Sequence, residues 1–288
     1  MYIYSVINNN VVSSRDENNE EVILTGRGIG FQKRNGQLVE KEKIEKIFRL
    51  ENEAERERLK GLLTDMPLEY VQVTDQIISY ARKVLDSHIS QSVYLMLIDH
   101  IGFAIERVKK GMDFQNALYE EVRRFYPEEY MIGCHALNLI EQTVGVRLPK
   151  DEAASVALHL VNAEFDMKTR DIWKMTNMLR EMMTLVETEL GISEGESLRK
   201  DRLVANMKFL AHRLLLESPQ KENVESEFFE FIRQYCKKEY NLTQKVKQYI
   251  EEHYDCEMTQ AEQLYLAIDF KRTEEGQDQK GGKCNGII

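Results

Sequence analysis

Two sets of residues in this 288-residue chain could do chemistry. The first is a pair of histidines, His100 and His159, each following an apolar-rich stretch, "YLMLI" and "VAL". A neutral imidazole nitrogen is a nucleophile near pH 7, and its charge state changes in that range. A groove-lining histidine with one ring nitrogen bonded is the structural alternative. A zinc site lacks support, because there is no H-E-x-x-H and no clustered Cys/His set, and a third ligand would have to be invented. A hydrolytic triad is no better, because no Ser or Cys sits in a recognisable nucleophile turn. The remaining chemical role is phosphoryl acceptance, which adds negative charge and acceptor oxygens able to open or seal a helical interface.

The second set is the stretch "VILTGRGIGFQKR", residues 22–34. Gly26, Gly28 and Gly30 alternate with Arg27 and Ile29, and Phe31, Lys33 and Arg34 follow with no acid among them. The loop lacks the third glycine of a dinucleotide fingerprint, and no G-K-[ST] follows, so nucleotide binding is disfavoured. A tight turn needing positive φ explains the glycines alone. RNA binding explains more: close backbone approach, arginine and lysine for phosphates, and Phe31 as a stacking face. Asn8, Asn9 and Asn10 add amides able to read base edges, although an asparagine run is also a common turn.

The elements that must position these residues fall into parts. Residues 1–50 read as short strand, turn, short strand: "YIYSVI", "VVSS", "EVILT", then an Asn35-Gly36 turn signal before another apolar piece. About four antiparallel strands are predicted. So small a module buries little apolar surface and calls for a partner, most simply a second copy. "ENEAERERLKGLL" is charged and helix-favouring and reads as a linker running into a helix. Beyond it Leu95, Ile98, Phe103 and Ile105 show the helical recurrence, and only four prolines interrupt the chain. The helical part contains itself twice. Shifted by 110, residues 140–159 lie on 250–269, so that Glu152 meets Glu262 and His159 meets Asp269. Shifted by 106, "DHIGFAIER" lies on "ANMKFLAHR", so that Phe103 meets Phe209, Arg107 meets Arg213, and His100 meets Asn206. Domains are therefore placed at 1–55, 66–170 and 171–273, with a disordered tail at 274–288. The fold class is multidomain, a small all-β head followed by two all-α bundles. A net charge of −10 confines any nucleic-acid site to a local patch. The start is not a signal peptide, the apolar run 88–98 is too short to span a bilayer, and the four scattered cysteines fit reduced thiols in a cytoplasm.

At "INNNVV" (7–12), "GRGIGF" (26–31), "IEKIFRL" (44–50), "DHIGFAIER" and "EAASVALHLVNAEF" (152–165), the sequence resembles transcriptional antiterminators of the BglG/LicT/SacY type, over nearly the whole chain to about residue 273. The resemblance implies that residues 1–55 are a co-antiterminator RNA-binding domain that dimerises and grips a hairpin in a nascent leader transcript. It implies that the two bundles are PTS regulation domains, phosphorylated on histidine by HPr and a sugar-specific enzyme II. His100 and His159 stand where the family keeps its phosphorylatable histidines. Asn10, Gly26, Arg27 and Phe31 match its RNA surface, and Gly28 and Gln32 are included as neighbours. The implied protein is a cytoplasmic regulator and not an enzyme, with no cofactor and no metal.

Two departures matter. Ser5 stands where the family often has lysine, removing one phosphate contact. Asn206 and Asp269 stand in place of both histidines of the second regulation domain. That domain is then a degenerate scaffold, an imitation of the phosphorylated state through Asp269, or a site altered by engineering. His88, His212 and His253 fall on no family phosphorylation position. Rival readings are a DNA-binding activator with the same regulation domains, which would begin with a helix-turn-helix, and a metal-dependent helical hydrolase.

Overall fold

The computed structural model describes residues 1–50, 52–85, 89, 92–165, 167, 169–191, 198–216 and 226–278. His88 and Cys284 lie outside them. The chain divides between Thr169 and Arg170 into two compact units.

The first unit opens with a four-stranded antiparallel sheet in sequential order: β1 (Ile3–Asn8), β2 (Val11–Arg15), β3 (Glu21–Thr25) and β4 (Lys46–Phe48). Two-residue alternation gives the sheet two apolar faces. Val12, Val22 and Leu24 cluster on one face with Ile29 and Val39 of the long β3–β4 connection. Val11, Ile23 and Phe48 lie on the other and join the core of the helices that follow. The apolar piece after Asn35-Gly36 is not the fourth strand. Gly36 adopts positive φ (84°), and Leu38 makes only an isolated bridge to Tyr2. The fourth strand comes later, at Lys46–Phe48, pairing with Ile23–Thr25.

Helices α1 (Glu53–Asp65), α2 (Leu68–Val84), α3 (Ser92–Lys109), α4 (Tyr119–Phe125), α5 (Pro127–Val144) and α6 (Asp151–Glu164) complete the unit. The expected linker is in fact α1. Asn52 caps it by accepting from the Ala54 N–H, and its buried Leu59 and Leu63 join the core beneath the sheet. The sheet therefore already has a partner within its own chain. Polar ties fix the contact. The Asn8 amide donates to the carbonyls of Leu63 (2.7 Å) and Thr64 (3.1 Å), Lys60 pairs with Glu21 (2.7 Å), and Gln72 donates to Glu45 (2.6 Å). The Lys46 ammonium reaches both Asp75 (2.5 Å) and the Tyr94 hydroxyl (2.7 Å), with Phe48 edge-on to the Tyr94 ring. Burying Val11, Ile23 and Phe48 contributes roughly 1.5–3 kcal/mol each, more than the half-exposed ion pairs add.

The second unit holds α7 (Thr169–Leu190), α8 (Leu198–Leu216), α9 (Ser226–Tyr235), α10 (Lys237–Tyr254) and α11 (Gln260–Asp278). Helix α11 runs five residues into the segment expected to be a tail, and residues 279–288 lie outside the described ones.

Candidate functional site

The glycine loop leaves β3 and is bound to the β1–β2 turn. The Gly26 N–H donates to the Asn10 carbonyl (3.0 Å), the Gly30 N–H to the Asn9 carbonyl (3.0 Å), and the Gly28 N–H to the Asn10 side-chain oxygen (2.9 Å). Each glycine has its own reason. Gly26 is buried, and a Cβ there would fall 1.7 Å from the Lys43 carbonyl oxygen; at Gly30 it would fall 2.3 Å from the Asn8 carbonyl. Gly28 takes positive φ (68°) in open space. Gly26 therefore shapes the loop from beneath and is not part of its surface.

What the loop presents is Arg27, Phe31, Gln32 and Arg34, all exposed, with Gln32 itself in the left-handed region (φ 56°). Phe31 is 55% exposed, unusual for an aromatic ring with no partner to cover. No ion pair holds the side chains of Arg27 or Arg34 among the described residues. Two other residues singled out in the sequence are already committed. Lys33 pairs with Glu40 (2.6 Å), which Lys33 and Lys43 together hold down to about pKa 2. The Asn8 amide is used on helix α1. Ser5, where a lysine was expected, bonds the Ser13 hydroxyl across the sheet (2.8 Å).

His100 on α3 and His159 on α6 meet, 59 residues apart in sequence, with ring centroids 4.8 Å apart. Around them stand Arg107 and the fully buried Glu152, joined as an ion pair. The His100 Nε2 lies 3.1 Å from a Glu152 oxygen, but out of line for a hydrogen bond, so neither atom has a hydrogen-bond partner among the described residues. Burial, then the Arg107 guanidinium, pushes His100 down to about pKa 4; burial, then His100 itself, pushes His159 down to about 3. Both imidazoles are thus neutral and nucleophilic near pH 7. Phe103, one turn from His100, is 61% exposed, and Arg107 stacks over Phe114 at 3.9 Å. Arg107 and Glu152 had been matched in the repeat but given no role. A charge pair preserved in both halves was the available signal.

The family described as CAT RNA binding domain matches residues 1–57, and the family described as PRD domain matches 75–163 and 180–273. Transcription antiterminator LicT of Bacillus subtilis (strain 168) is 39% identical over 273 residues, covering 94% of this chain and 98% of the relative. The beta-glucoside operon antiterminator of Dickeya chrysanthemi is also 39% identical over 273 residues, covering 94% and 96%. The crystal structure of GlcT CAT-PRDI covers 57% of this chain and 97% of its own, at 32% identity and a TM-score of 0.50. The chain belongs to the LicT/BglG family of transcription antiterminators. These are RNA-binding regulators of transcription, with a strand-built head and two PRD domains.

The second PRD domain of this antiterminator rebuilds the same site with other side chains. Asn206 donates to Asp269 (2.8 Å), and Arg213 pairs with Glu262, as Arg107 does with Glu152. Phe209 and Tyr265, both more than half exposed, help line an open cleft of about 410 Å³ over the pair. Burial raises the Asp269 carboxyl, while the Asn206 hydrogen bond, Arg272 and Arg202 oppose the rise. His212 is not at this site, and His253 donates to or accepts from nothing there; its ring lies against Tyr249. The letters G-x-S-x-G do occur, at Gly191–Gly195, but helix α7 precedes them where a nucleophile elbow needs a strand, and residues 192–197 lie outside the described ones. Among the described residues no group of three or more His, Cys, Asp and Glu is placed to hold a metal, and no helix is long and apolar enough to cross a membrane.

Proposed function

We propose that this antiterminator binds, as a homodimer, an RNA hairpin in a nascent leader transcript and so prevents an overlapping terminator from forming. Phosphoryl transfer from the sugar phosphotransferase system, through HPr and a sugar-specific enzyme II, would set that activity for a sugar-utilisation operon. The observation that carries the RNA reading is the loop on which Arg27, Phe31 and Arg34 stand exposed and unpaired, held rigid by Asn10. Arg27 and Arg34 supply phosphate contacts, Phe31 a stacking face, and Gln32 with the Asn10 amide the polar groups for base edges. Gly26 and Gly28 fix the path of the loop.

His100 and His159 are the proposed acceptors, and phosphorylation there would be inhibitory when the cognate sugar is absent. The added dianion would land beside the Arg107–Glu152 pair and pull the guanidinium away from its carboxylate. The sheet face now docked on α1–α3 cannot at the same time pair with a second copy, so pairing through that face requires release from those helices. A differential interaction of a few kcal/mol suffices to move such an equilibrium.

The test is hairpin binding by the full chain and by Arg27→Ala at moderate salt. The variant should lose roughly tenfold or more in affinity with its melting temperature unchanged; equal affinity would remove the RNA site from this loop.

A further inference from the structure

The first PRD domain holds a second concavity, away from the histidines, between α4, α5 and the α5–α6 connection. It measures about 490 Å³, within the range of small-ligand sites. Three cations line it, Arg123, Arg147 and Lys150, against one acid, Glu141, in a chain whose net charge is −10. The Arg123 guanidinium lies over the rings of Tyr119 (5.5 Å) and Tyr130 (6.0 Å), whose hydroxyls bond each other at 2.9 Å. Among the described residues its one ion pair is an exposed contact with Glu120 (3.2 Å). Arg147 and Lys150 have no ion pair among the described residues. The connection that carries them is anchored by Gly145 in the left-handed region (φ 72°) and by the buried Leu148.

The second PRD domain is an internal control. At the shift of 110, Tyr119 and Tyr130 meet Phe229 and Tyr240, and both ring pairs are edge-to-face, at 5.8 and 6.0 Å. Arg147 meets Glu257, Lys150 meets Gln260, and Ala153 meets Gln263. Gln263 is buried there. It donates to the Met258 carbonyl (3.0 Å) and accepts from Gln244 (2.9 Å) and the Tyr240 hydroxyl (3.4 Å). One repeat thus fills the space with its own amide and drops two cations. The other leaves a methyl group on the floor, adds a tyrosine hydroxyl and keeps the charge. Packing alone does not require the difference, since the same scaffold closes the space in the other half.

We propose that this cleft of the first PRD domain binds a small phosphate monoester carrying hydroxyl groups. Arg123, Arg147 and Lys150 take the phosphate, and the Tyr119–Tyr130 hydroxyl pair with Asn138 takes the hydroxyls. A bounded concavity of this size, open on one side, suits a small molecule, whereas an RNA strand needs a groove that continues.

The test is calorimetric titration of the full chain with glucose 6-phosphate, fructose 6-phosphate and glycerol 3-phosphate, with glucose and inorganic phosphate as the separated halves. At least one ester should saturate the protein, roughly tenfold tighter than inorganic phosphate, with no heat from glucose. Ala153→Gln, which fills the cleft as Gln263 does, should abolish binding. The exposed pair Arg147→Glu and Lys150→Gln should weaken it roughly tenfold and leave the melting temperature unchanged. The proposal is overturned if no ester saturates by about 10 mM, if inorganic phosphate binds as tightly as the esters, if the Arg147/Lys150 variant binds them unchanged, or if that variant loses hairpin affinity and not ester affinity.

Discussion

His100 and His159 owe their chemistry to burial. A histidine whose pKa falls on folding stabilises the fold fully above its unfolded value of about 6.5, and that stability is lost as pH falls below it, because the unfolded chain then takes up protons that the native state refuses. With His100 near 4 and His159 near 3, stability should decline as pH drops from about 6.5 toward 4. Carboxylates join in at the acid end, so the informative window is about 6.5 to 5. His100→Asn with His159→Asp, the residues the second repeat already uses, should flatten the decline there; denaturant melts at closely spaced pH values measure it, and an unchanged slope would mean that the rings are not neutralised by burial. At Gly26 the relevant quantity is distance. A methyl group 1.7 Å from the Lys43 carbonyl cannot be accommodated in place, so Gly26→Ala should cost more than about 2 kcal/mol. Gly28→Ala meets open space and pays only for positive φ, about 1 kcal/mol. Thermal melts of the two variants separate a residue that builds the loop from one that merely turns it.

At the scale of elements, sequence patterns gave the types well and the partnerships poorly. Period-two runs marked β1 to β3, and the glycine loop and the repeat were visible as letters, down to the pairing of Arg107 with Arg213 and Glu152 with Glu262. Two elements were misread for a physical reason. Lys46–Phe48 is too short to show alternation and forms a strand only because β3 offers it an edge. Glu53–Asp65 reads as a helix-favouring linker, and its core role is hidden because its two buried leucines are diluted by charge, so that only tertiary packing reveals them as core. The consequence is testable. Lys46 is tied to Asp75 and Tyr94 across the sheet–helix contact, so Asp75→Ala leaves its ammonium half-satisfied and should loosen the contact by about 1 kcal/mol. If docking withholds the sheet from a second copy, sedimentation of Asp75→Ala should show a larger dimer fraction than the parent chain. A smaller fraction would mean that docking supports pairing and does not compete with it.

At the scale of the whole molecule, one architecture is used twice with different chemistry. Both PRD domains keep an arginine–glutamate pair beside the position of His100 and His159 or its repeat counterpart, and both expose a phenylalanine next to it, Phe103 and Phe209. Only the first keeps imidazoles. An asparagine amide offers no nucleophilic nitrogen, and one oxygen of Asp269, a carboxylate in place of an imidazole, accepts from the Asn206 amide. Incubated with the phosphocarrier protein and its phosphoryl donor, the full chain should therefore be labelled at His100 or His159 and not in the second domain; mapping at neutral or alkaline pH, where phosphohistidine survives, reads this directly. Because the charged pair that would stand beside a phosphorylated residue is already present as Arg213–Glu262, the missing element is the nucleophile alone. Asn206→His with Asp269→His should restore labelling to the second domain without further change. If the doubly restored chain stays unlabelled there while the first domain is labelled normally, the second domain has lost its docking surface as well as its histidines, and the repeat has become a scaffold in full.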